Sequence, residues 1–163
     1  MLLTLFRLLA WLPLPVLHGV GRIGGRIAYA WPGKYRRRLR ANAIQAGYPQ
    51  ASFARRAAAQ AGAMVMELPK VWLRNEQSLE KVVSSDNAVV EAALAEGRGI
   101  LYLTPHLGCF EITARYLTRH GPITVMFRPP RKAVLAPVMD AARNTSALRA
   151  VPATMQGVRE FVR

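Results

Sequence analysis

Apolar residues dominate the first 31 positions, "MLLTLFRLLAWLPLPVLHGVGRIGGRIAYAW", interrupted by Arg7, Arg22 and Arg26. The uncharged run from Leu8 to Gly21 is 14 residues, short of the ~20 that an ordinary spanning helix needs. Pro13 and Pro15 predict a break or kink within it. With arginines snorkelling, Met1 to Trp31 suits a tilted span or a shallow anchor. Trp11 and Trp31 would then mark the interfaces. A cleaved secretory leader fits less well, because the small residues here are glycines spaced by arginines. A buried helix of a soluble domain is the remaining alternative.

Periodicity changes further along. From Gln50 to Leu73 an alanine-rich stretch places Phe53, Ala57, Met64, Leu68 and Trp72 at three-to-four spacing, as an amphipathic helix requires. Pro69 is expected to end or kink it near Leu68. Asp86 to Glu96 reads as a short helix, followed by a turn at Gly97 to Gly99. "GILYLT", Gly99 to Thr104, is a short apolar run suited to a strand buried on both faces. "GCFEITARYLTRHG" is helical with a stop at Gly121, and "PITVMFRPP" from Pro122 is a second strand. Lys132 to Ala150 again reads as mostly helix. The alternation predicts an α/β fold, an N-terminal hydrophobic anchor and helices followed by the start of a mixed or parallel sheet with helical crossovers. Residues 1–31 form the anchor segment and 32–163 the α/β domain in this reading.

Charge sharpens the picture. No acidic residue precedes Glu67, against ten lysines and arginines; the balance then turns mildly acidic to Glu111 and basic again beyond it, for a net charge of +14. Such blocks attract polyanions of several kinds. The cluster Lys34, Arg36, Arg37, Arg38 and Arg40 directly follows the apolar segment. That order fits the positive-inside rule and an anionic leaflet, and the cluster lacks the interleaved aromatics of a nucleic-acid stacking platform. A single cysteine excludes an intramolecular disulfide.

Candidate chemistry gathers in "TPHLGCFE", at the predicted turn from strand to helix. The C-terminal ends of parallel strands are where such sheets collect function. His106 and Glu111 stand five apart, ~140° from each other on a continuous helix. They can meet only if His106 lies in the turn before the helix, which Pro105 and Gly108 permit. A carboxylate on one imidazole nitrogen would leave the other as general base. Cys109 could instead be a nucleophile with His106 as its base, although such partners normally come from separate segments. His106, Glu111 and His120 make a poor metal set, without HExxH spacing. No phosphate-binding glycine loop is present.

"HLGCFE" resembles the H-x4-[DE] motif of the glycerolipid and lysophospholipid acyltransferases. The chain is more closely similar to the bacterial late acyltransferases of lipid A biosynthesis, the lauroyl and myristoyl transferases. The hydrophobic start, "RRRLRANAIQAGYP" with Asn42 and Pro49, "FRPP" from Phe127 to Pro130, and "VPATMQGVREFVR" carry the likeness in order along the chain. Cys109 and Phe110 depart from the family's usual Asn and Trp. The resemblance covers roughly the family's N-terminal half, so the domain is expected to be incomplete at its C-terminal end.

The resemblance implies transfer of a fatty acyl group from acyl carrier protein to a hydroxyl of a lipid A precursor, without a cofactor or metal. His106 would be the base and Glu111 its orienting partner, with Cys109 idle. Arg128, helped by Arg131 or Arg143, would bind phosphate of the acceptor or of the carrier's arm. It further implies an inner-membrane enzyme facing the cytoplasm, with anionic phospholipid and no nucleic acid as partner. An inactive fragment that binds anionic lipid, and a thiol hydrolase using Cys109, are the competing readings.

Overall fold

The computed structural model describes residues 2–84, 87–128, 137–139 and 147–162. The described residues form two compact units, the first of residues 2–74 with 137–139 and the second of the remainder. The first contains α1 (Leu2–Trp11), α2 (Leu14–Ala30), α3 (Lys34–Gln45) and α4 (Ala51–Leu73). Pro13 separates α1 from α2 and provides the N-terminal cap position of α2, where a missing N–H costs nothing. Among the described residues no helix is long and apolar enough to cross a membrane.

The first unit is organised around close contact between α2 and α4. Leu17, Gly21, Gly25 and Tyr29 form the buried face of α2. Ala54, Ala58, Ala59 and Ala63 lie buried on α4. A Cβ on Gly21 would overlap the Gly62 carbonyl, and one on Gly25 the Ala58 carbonyl. Backbone therefore meets backbone, which only small residues allow. The sequence stripe Phe53, Ala57, Met64, Leu68 and Trp72 marked the helix correctly but not its main contact face. Of these five only Trp72 is buried; the alanines next to the stripe make the seam.

Of the two outcomes expected at Pro69, an end or a kink, the structure excludes the first: α4 runs through it to Leu73. The carbonyl deprived of its donor belongs to Val65, on an exposed position. Beyond Pro69 tertiary contacts hold the last turn. Lys70 Nζ donates to the Ala10 carbonyl at 3.0 Å, Phe6 stacks on Trp72, and the Arg74 guanidinium lies 3.7 Å from the Trp11 ring centroid.

Helix α3 closes with Gly47 at φ +86, whose N–H donates to the Ile44 carbonyl while the Tyr48 N–H donates to Ala43. This is a Schellman end, and glycine suits its left-handed position. Tyr48 then stacks on Phe53 at 4.2 Å.

The second unit contains α5 (Asn75–Leu79), α6 (Ala88–Ala95), α7 (Glu111–Leu117), β1 (Ile123–Phe127), β2 (Leu148–Pro152) and α8 (Met155–Phe161). The strands pair in parallel, with Ile123 opposite Leu148 and Phe127 opposite Pro152. The α/β class stands, but its strands differ in part from those expected. Gly99 to Thr104 carries no regular structure, and Leu103 is 86% exposed. An apolar run becomes a strand only where a ladder accepts it, and none does so among the described residues. Conversely, the end of the predicted helix Lys132 to Ala150 is strand β2. Leu148 and Val151 are buried there, and pairing with β1 overrides local helix preference.

After β2 the chain turns at once. Ala153 N–H donates to the Phe127 carbonyl at 2.9 Å. Thr154 caps α8 by accepting from Gly157 N–H at 3.2 Å. A side chain at Gly157 would overlap the Pro152 carbonyl.

Candidate active site

The chemistry-bearing turn runs from Thr104 to Phe110. Gly108 adopts φ +54, a conformation that favours glycine, and Phe110 N–H reaches back to the Gly108 carbonyl at 3.0 Å. That reversal stops the chain from entering a helix until Glu111. His106 is thereby left in the loop, as its spacing from the carboxylate requires, and Glu111 occupies the first helical position of α7. A carboxylate there faces the N-terminal end of the helix dipole, where negative charge is favoured.

His106 is exposed, and Glu111 is partly buried. The imidazole stacks on the Phe110 ring, with centroids 4.3 Å apart and planes inclined by 28°. No hydrogen bond or ion pair joins His106 to Glu111 among the described residues. Loop and helix thus deliver the two groups to one short turn, while the contact that holds the imidazole is aromatic. Phe110 was read from sequence only as a departure from the family's usual tryptophan. An aromatic residue four places after a histidine was the available signal.

Arg115 is a second residue that sequence reading passed over. It lies one turn beyond Glu111 on α7 and is only 3% exposed, so a buried cation stands at the neighbouring helix position. Cys109 is half-buried in the turn. His120 sits just beyond α7, its ring in an edge-to-face pair with Tyr116 and its Nε2 buried without a hydrogen-bond partner among the described residues. Among the described residues no group of three His, Cys, Asp or Glu could hold a metal.

Arg128 is exposed immediately after β1, at the strand end expected for it. Arg131 and Arg143 lie outside the described residues. Among the described residues a His–carboxylate pair closed by a hydrogen bond lies elsewhere: His18 Nε2 and Glu67 Oε2 are 2.8 Å apart between α2 and α4. Nothing in the sequence pattern linked these two residues, which are 49 positions apart.

No curated protein and no solved structure matches the chain. A family match does, and it runs over residues 1–163 under the description bacterial lipid A biosynthesis acyltransferase. This match over the whole chain shows that the protein belongs to the bacterial lipid A biosynthesis acyltransferase family.

Proposed function

We propose that the chain transfers a fatty acyl group from acyl carrier protein to a hydroxyl of a lipid A precursor at the cytoplasmic face of the inner membrane. The observation that carries this reading is the turn itself. His106 is held in the loop against Phe110, and Glu111 begins the helix that follows. An exposed imidazole with a nearby carboxylate suits a base that must reach an incoming hydroxyl.

His106 removes the proton of the acceptor hydroxyl as that oxygen attacks the thioester carbonyl. Glu111 orients the imidazole and offsets the positive charge it acquires. A base and its orienting group commonly draw together only when substrate is bound. Collapse of the tetrahedral intermediate expels the carrier's thiolate, which takes the proton back from His106. The acyl group passes directly to oxygen, so no covalent enzyme intermediate forms and Cys109 has no chemical task. Helix α7 and strand β1 pack on each other and are joined by the short turn Thr118 to Pro122. That reversal supports a common edge for Glu111 and Arg128, where Arg128 would meet a phosphate of donor or acceptor.

Acyl transfer from acyl carrier protein to a lipid A precursor, measured for the full chain with single alanine variants, tests the assignment. His106→Ala and Glu111→Ala should abolish turnover and Cys109→Ala should retain it. Turnover that survives His106→Ala, or that disappears only with Cys109→Ala, overturns the dyad. A wild-type chain without turnover leaves an anionic-lipid-binding role in its place.

A further inference from the structure

Arg115 is a buried charge to which the acyl-transfer step gives no task. It stands in the last turn of α7 and is 3% exposed. Helix α7 packs against α5 and β1, so the guanidinium is enclosed by the second unit rather than solvated at its surface. A guanidinium keeps its charge at every accessible pH. Taking that charge out of water is unfavourable unless anions or carbonyls surround it. Among the described carboxylates of the second unit, Glu76, Glu80, Glu91 and Glu96 are exposed, and Glu160 is engaged by Arg149 at 2.6 Å. Glu111 is partly buried and precedes Arg115 by one turn of the same helix.

The order of the two residues matters. With a carboxylate N-terminal to a cation at this spacing, both side chains rise from one face of the helix, their Cβ atoms about 5–6 Å apart. Each charge also suits its end of α7, since Glu111 lies in the first turn and Arg115 in the last. At that separation a cation enclosed in protein acts on a carboxylate more strongly than one surrounded by water. The base of the guanidinium is itself held: Leu117 is buried, and Thr118 Oγ1 donates to the Arg115 carbonyl at 2.6 Å. Helix α7 has only seven residues, too few for its own backbone bonds to stiffen the first turn.

We infer that Arg115 is a positioning residue for Glu111. Its buried charge draws the carboxylate toward the inner side of the first turn and sets the rotamer from which it meets the imidazole of His106. The inference rests on the assignment of His106 and Glu111 as base and orienting group, and Arg115 itself touches no reacting atom. A cation that serves only the fold matters whether or not residue 111 carries a charge. A positioning cation matters only through that carboxylate.

Acyl transfer by the full chain, with Arg115→Met, Arg115→Lys and Glu111→Gln alone and combined, tests this, each variant being checked for folding by thermal unfolding. Arg115→Met should lower kcat by about tenfold and leave KM within about twofold. Arg115→Lys keeps the charge without the guanidinium fork and should retain about a third of the parent's kcat. In the Glu111→Gln chain, whose residual turnover is followed at high enzyme concentration, adding Arg115→Met should lower kcat by less than about twofold, because the group it positions is already neutral. Where Arg115→Met does not fold, the same cycle with Arg115→Lys decides, with about a threefold loss expected in the parent and none in Glu111→Gln. Equal losses in both backgrounds, a rise in KM alone, or a parent-like Arg115→Met chain would each overturn the inference. His106→Ala keeps the two readings apart. Turnover that survives it overturns the dyad and this inference together, whereas loss there beside a parent-like Arg115→Met chain overturns this inference alone.

Discussion

The imidazole of His106 lies on the ring of Phe110, their centroids 4.3 Å apart. The stack fixes the ring plane of a residue that is otherwise exposed on a loop. Contacts of this type contribute about 0.5–1.5 kcal/mol. Phe110→Leu should therefore lower kcat by about two- to tenfold, with KM little changed. Phe110→Trp, which keeps an aromatic face, should restore most of the loss. Steady-state acyl transfer by the three chains checks this, and a Leu variant altered only in KM would point to substrate binding instead.

Glycines on α2 divide into two sets with opposite expected behaviour. Gly21 and Gly25 touch α4 backbone, and Gly62 touches α2 in return. Alanine at any of these three should destabilise the first unit by about 1–3 kcal/mol through overpacking. Gly19 and Gly24 have open space where a Cβ would stand. Alanine there should stabilise by about 0.5–1 kcal/mol, because glycine within a helix costs conformational entropy. Thermal or denaturant unfolding of the five variants reads the contrast directly.

His18 and Glu67 meet across the same seam at 2.8 Å, the carboxylate nearly buried and the imidazole about a quarter exposed. Glu67→Ala should cost about 1–3 kcal/mol, since it leaves a partly buried imidazole without its partner. Partial solvation of His18 argues for the lower half of that range. A double-mutant cycle with His18→Ala should show coupling near 1 kcal/mol. Coupling indistinguishable from zero would mean that α2 and α4 are aligned by backbone contact alone.

Arg128 follows directly after β1 with its side chain exposed. If it binds phosphate, Arg128→Ala should raise KM for the phosphate-bearing substrate by about tenfold and leave stability unchanged. Arg128→Lys should recover only part of the effect, because an ammonium cannot offer the paired N–H geometry of a guanidinium. Initial rates at varied ionic strength check the electrostatic origin: the difference between parent and Arg128→Ala should narrow as salt rises.

The residues alone determined what local chemistry can determine. Pro13 separated two helices, Gly108 delayed the start of α7, and the spacing from His106 to Glu111 demanded a loop between them. Motif order along the chain was sufficient for the family. What the chain could not disclose locally was which apolar run would find a partner. "GILYLT" has strand composition and no ladder among the described residues, whereas Leu148 to Pro152 forms a strand inside a stretch of helical character because β1 accepts it.

Pro69 is a helix breaker by local rule, yet Lys70, Trp72 and Arg74 anchor the turn beyond it to α1. The bond from His18 to Glu67 and the stack on Phe110 belong to the same class of fact. Periodicity reports which residues share a face of one element. Only the packed chain decides what that face meets, because the energy of a contact depends on both partners, and one of them lies elsewhere in the sequence.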